Sequence, residues 1–257
     1  MNDLRALRVA PPPDKRCYAR SHLSLTCHIG ALKDFKGLFQ GFTLAEVLVT
    51  LGIIGVVSAM TVPSLMQNYQ RQSYVTQLHK VYNELSQAAV QYQTERNAIN
   101  LKEAGLTSQT AAESFIEEHF KVVQKCGSDR APCFPETGVY KKLSGATVTA
   151  WYTPRTNYVI ASGASIGISY RANGDVLCEF YVDVNGKKGP NIVGRDLFPI
   201  FLYNNGLIDD NDFSSDNTAP MTEEERNTNY AVCTNNLGNQ WHGCFGKILN
   251  DNWQMTY

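Results

Sequence analysis

Glu46 is the one charged residue in a 21-residue apolar run, Phe42–Val62, which reads FTLAEVLVTLGIIGVVSAMTV. A lone carboxylate in a membrane-spanning helix costs roughly 2.5–3.5 kcal/mol or more, so the sequence predicts a partner for it. Gly41 and Phe42 stand directly before the run. Cutting the bond between them would create an ammonium at Phe42, four residues from Glu46. If Glu46 of one copy met the Phe42 amine of the next, two buried charges would become one pair. That pairing would also set register, because a mismatch strands a charge in hydrocarbon. Glycine suits position 41, since a side chain there would obstruct the extended backbone that a protease needs.

Other residue sets offer weaker chemistry. Asp183, Asn185, Asn191 and Asp196 lie in the stretch DVNGKKGPNIVGRD. Their oxygens are the hard ligands calcium prefers, so calcium is one reading and a turn pinned by Asx hydrogen bonds is the other. The stretch is not an EF-hand loop, because Gly194 stands where the bidentate Glu should fall. Cys126 and Cys133 are seven apart and Cys233 and Cys244 eleven apart, neither with C-x-x-C spacing. In an exported domain such pairs read as disulfides. Cys178 is then left over, so either it is a free thiol or the pairing differs. His79, His119 and His242 lack metal-ligand spacing, and the chain has no G-x-S-x-G, P-loop or H-E-x-x-H motif. Nothing argues for an enzyme, and no cofactor beyond calcium is indicated.

Charge and periodicity indicate what must position these residues. Residues 1–41 hold seven Lys/Arg against three Asp, whereas 42–257 hold sixteen Lys/Arg against twenty-one Asp/Glu. A basic start before an apolar run keeps an N-terminus cytoplasmic and sends the remainder across the membrane. The leader of 41 residues is long, and an initiation near Leu32 would shorten it to about ten. The apolar run spans about 30 Å as a helix, one bilayer core. Pro63 is expected to kink or loosen it. Tyr74, Leu78, Val81, Leu85, Ala88, Ala89 and Tyr92 then recur at three- and four-residue steps, predicting one long helix over 43–95 whose second half has a single apolar stripe.

Beyond it, residues 100–125 read as a short helical region with Phe115, Ile116 and Phe120 on one side. Short β-branched or aromatic runs follow at 147–150, 158–161, 167–170 and 176–184, with Asn173-Gly174 as a hairpin turn. Residues 204–230 read as loop, and the tail as a last helical turn or strand. The segment between Cys233 and Cys244 is either a staple on the chain end or a surface loop offering Trp241 and His242 to a partner. No basic patch argues for nucleic acid, since Lys141-Lys142 and Lys187-Lys188 are merely doublets.

Gly41-Phe42-Thr43-Leu44-Ala45-Glu46, running into an apolar helix that ends at Pro63, resembles the type IV prepilin signature. Ala45 stands where a larger aliphatic is commoner. The resemblance implies cleavage after Gly41 by a membrane prepilin peptidase, N-methylation of Phe42, and a filament built through the helix with Glu46 as the assembly residue. The expected fold is α+β, a long N-terminal helix on a small antiparallel sheet. Its segments are a leader (1–41), a membrane or filament-core helix (42–62), an amphipathic continuation (63–95) and a head (96–257). The resemblance also implies an inner-membrane protein with a periplasmic head, which joins an extracellular or periplasmic filament through an assembly platform and motor. Pilus subunit and type II secretion pseudopilin are both open on these residues. A tip adhesin or DNA-uptake minor pilin is the lesser alternative. In many pilins a C-terminal disulfide closes an exposed contact loop, and in some pseudopilins C-terminal loops bind calcium.

Overall fold

The computed structural model describes residues 42–136, 138–148, 156–211, 217–234 and 241–257. Gly41 and the rest of the leader lie outside the described residues, as does the second half of the run expected at 147–150. The chain divides into two compact units, one ending at Ile53 and the other comprising Ile54–Tyr257. In the first, the described residues open helix α1 (Leu44–Glu95), and each of them is exposed.

In the second unit α1 continues through Pro63 as helix, so the loosening expected there does not end it. From Val75 onward one face is buried, carrying Leu78, Val81, Leu85, Ala88, Ala89 and Tyr92. Steps of three and four keep these side chains on one side, as helical geometry requires. They share a core with Phe115 and Ile116 of α2 (Gln109–His119) and with Tyr158, Ile166, Phe180 and Ile200 of the sheet. Ser108 caps α2, its side chain accepting from the Ala111 N–H at 3.1 Å.

Among the described residues six strands form one antiparallel sheet in chain order: β1 (Val122–Gly127), β2 (Thr156–Ile160), β3 (Ser165–Asn173), β4 (Val176–Asp183), β5 (Leu197–Tyr203) and β6 (Ile208–Asp209). The β3–β4 hairpin turns at Asn173-Gly174, with Asn173 opposite Val176. Gly174 has φ +57°, and a Cβ there would press on the Asn217 backbone at 3.2 Å, so glycine is favoured on both counts. The α+β fold of a long helix on a small antiparallel sheet is therefore observed.

Three details differ from the sequence expectation. Residues 122–125 belong to β1 rather than to a helical region, because they pair with β2. Residues 204–230 are not all loop. They include β6 and the start of α3 (Glu223–Thr234), which opens with a capping box: Thr222 N–H and hydroxyl donate to Glu225, and Glu225 N–H donates back. Strand β5, LFPIFLY, was not anticipated at all. Every residue in it is buried, and Pro199 lies opposite Tyr181. The tail forms helix α4 (Cys244–Asn250).

Candidate functional site

The start of α1 is built as a capping box. Thr43 N–H and hydroxyl donate to Glu46 Oε2 at 2.8 and 2.9 Å, and Glu46 N–H donates to Thr43 Oγ1 at 3.2 Å. A helix leaves its first amides without intrahelical partners, and this T-x-x-E pair satisfies them reciprocally. Thr43 is the functional residue that the sequence reading overlooked, although the spacing Thr43-x-x-Glu46 was a legible signal. The box holds the Glu46 carboxylate beside the Thr43 amide, one residue from the Phe42 nitrogen. Glu46 Oε1 makes no hydrogen bond among the described residues, so one oxygen closes the helix start while the other stays open to a cation. Phe42 is 86% exposed, and the apolar residues that follow are exposed with it. Among the described residues α1 is the one helix long and apolar enough to cross a membrane.

The four candidate calcium ligands converge on the β4–β5 connection. Asp183 accepts from the Tyr140 hydroxyl and from Asn185 N–H, and Asp196 accepts from Asn191 N–H at 2.7 Å and Ile192 N–H at 2.6 Å. The Asn185 side chain lies against Asp196 and donates to the Gly189 carbonyl. Burial pushes the Asp183 carboxyl well above the usual carboxylate range, opposed by the Tyr140 hydrogen bond and reinforced by the charge of Asp196. Asp196 is raised as well, mainly by burial. The Asn185 and Asn191 side-chain oxygens are buried without hydrogen-bond partners. Two carboxylates and two unused amide oxygens match the donor types a hard cation takes. Among the described residues no group of three or more His, Cys, Asp or Glu side chains is placed to hold a metal, so a site here depends on the asparagines.

Both expected disulfides, Cys126–Cys133 and Cys233–Cys244, are present, and Cys178 is a free, fully buried thiol whose pKa is raised by that burial. The reading of Trp241 and His242 as exposed contacts is corrected. They are 3% and 5% exposed, the Trp241 ring packing tilted against Tyr181 with centroids 4.4 Å apart and His242 Nδ1 lying 3.7 Å from Asp210. The Cys233–Cys244 disulfide holds this end down against the β4–β5 connection. A Cβ on Gly194, whose φ is +82°, would stand 2.5 Å from Cys244 Sγ. The Tyr257 hydroxyl donates to the Gly194 carbonyl at 2.8 Å, tying the C-terminal residue to the same loop.

Residues 38–62 match the family model described as the prokaryotic N-terminal methylation motif. The chain carries the N-terminal signature of type IV pilin- and pseudopilin-type prepilins. No curated protein and no solved structure matches it. The matched residues include the capping box and all of the apolar run, so the prepilin signature falls on the exposed start of α1. Proteins with this motif are structural subunits rather than enzymes, processed by a prepilin peptidase and assembled with other subunits. The motif and the apolar helix are consistent with membrane anchoring.

Proposed function

We propose that the chain is a structural subunit of a type IV pilus-like filament, cleaved between Gly41 and Phe42 and assembled through its N-terminal helix. The observation that carries this reading is Glu46, an acid with one engaged and one open oxygen in a wholly exposed apolar helix start. An acid in that setting calls for a cation, and cleavage supplies one at the Phe42 nitrogen. The open oxygen takes the Phe42 ammonium of a neighbouring copy, while the capping box keeps the carboxylate at the helix end. A head with a six-strand sheet and two disulfides among the described residues supports a specialised pilus subunit over a short secretion piston. The head then lies on the periplasmic side before assembly. Glu46→Ala leaves processing intact and abolishes filaments seen by electron microscopy. Glu46→Ala subunits that polymerise like wild type would refute the charge-pairing role.

In this reading the β4–β5 connection takes calcium through Asp183, Asn185, Asn191 and Asp196. The support is the pair of buried carboxylates beside two unsatisfied amide oxygens. Bound calcium would neutralise the two acids and brace the loop that rests on the Cys233–Cys244 disulfide. Thermal unfolding in calcium and in chelator is the check: a higher midpoint in calcium that Asp196→Asn abolishes supports the site, and equal midpoints refute it.

A further inference from the structure

Within the second unit a groove of about 640 Å³ opens between α1 and the C-terminal segment, lined by Asn68, Arg71, Gln72, Trp253, Gln254 and Thr256 among others. Arg71 is the one ionisable side chain in that lining. It makes no ion pair among the described residues, and its Nε is buried without a hydrogen-bond partner. A buried guanidinium nitrogen with nothing to donate to carries a desolvation penalty that an anion would relieve. The side-chain amides of Asn68, Gln72 and Gln254 line the same groove, able to complete the binding of an oxyanion, while the Thr256 hydroxyl is taken up by Asp251. A planar guanidinium is well matched to phosphate.

Position along the helix narrows the ligand. The apolar run ends at Val62, but Leu65, Met66 and Tyr69 continue it as exposed side chains to within two residues of Arg71. Tyrosine at such a boundary is the usual residue of the membrane interface, with arginine reaching to the headgroups beside it. Two helical residues from Tyr69 to Arg71 rise about 3 Å, and helical side chains lean toward the N-terminus, here back toward the bilayer. We propose that this groove binds the phosphate group of an anionic phospholipid at the membrane surface, holding the head in a fixed attitude before assembly. The inference rests on the membrane-anchored reading of α1.

The full mature chain, extracted in mild detergent and incubated with phosphatidylglycerol and phosphatidylethanolamine, is examined by native mass spectrometry. Wild type is expected to retain one phosphatidylglycerol in preference to phosphatidylethanolamine. Arg71→Gln is expected to lose that preference by about tenfold, as removal of one charge-assisted contact implies, while Arg71→Lys keeps part of it. Equal lipid retention by wild type and Arg71→Gln overturns the proposal. So does complete displacement of the lipid by millimolar inorganic phosphate, which would make the groove a site for soluble phosphate. Unchanged lipid retention together with filaments lost in Arg71→Gln also overturns it, assigning Arg71 to a carboxylate of a neighbouring copy. Carbonate washing of membranes separates the two readings. If wild type washes free, the anchoring reading falls and the lipid site with it; if wild type stays and the lipid preference is unaffected by Arg71→Gln, only the lipid site falls.

Discussion

From Leu44 to Gln70 helix α1 exposes every residue, whereas from Val75 to Tyr92 it buries a side chain at nearly every third or fourth position. The two stretches belong to one helix, but different surroundings account for them. The later stretch is satisfied by the chain's own sheet and α2, so the hydrophobic effect within the head is sufficient to hold it. Nothing among the described residues covers the earlier stretch, and exposed apolar surface on that scale marks a membrane or an assembly contact. The contrast separates stability from function: changes in the later stretch should unfold the head, and changes in the earlier one should leave the head folded while assembly fails.

The sharpest way to break the comparison is a matched pair of truncations. Leu85→Ala, at a fully buried position, should lower head stability by about 2–5 kcal/mol in denaturant unfolding followed by circular dichroism. Val49→Ala, at an exposed position, should leave the same curve unchanged. Arg226→Ala comes next. Its guanidinium meets both oxygens of the buried Asp209 at 2.8 and 2.6 Å, and stripping it leaves that carboxylate uncompensated, at a cost of about 3 kcal/mol. Replacing Cys233 and Cys244 by alanine should cost about 2–3 kcal/mol and expose the C-terminal segment to limited proteolysis. Smallest for the head is Glu46→Ala, with no measurable change in unfolding midpoint, yet filament yield should fall to background.

The legible and illegible parts of the chain divide along physical lines. The stripe on α1 could be read because helical periodicity survives without knowledge of what packs on it. Glu46 could be read because a single charge in an apolar run is conspicuous. Strand β5 could not, since LFPIFLY is buried throughout and lacks the alternation of a half-exposed strand, and Pro199 argues against a strand. Helix α3 looks like loop by composition, EEERNTNYAVCT. It is held by Arg226 on Asp209 and by Asn250 donating to the Glu223 carbonyl at 2.9 Å, contacts between residues distant in sequence. The capping boxes at Thr43 and Thr222 were present in the sequence and would have marked both helix starts. Whether Trp241 is buried could not be read from its segment alone, because its burial depends on Tyr181, sixty residues earlier, and the structure agrees with the staple reading rather than the contact loop.

Processing that exposes an amine beside Glu46 is the claim on which the rest depends, and intact mass spectrometry of the membrane-extracted protein tests it most directly. A chain beginning at Phe42 and carrying one added methyl group is the predicted result. A chain that retains residues before Phe42, or one that begins at Met60 as an ordinary signal-peptidase cut after Val57-Ser58-Ala59 would leave it, would contradict the account.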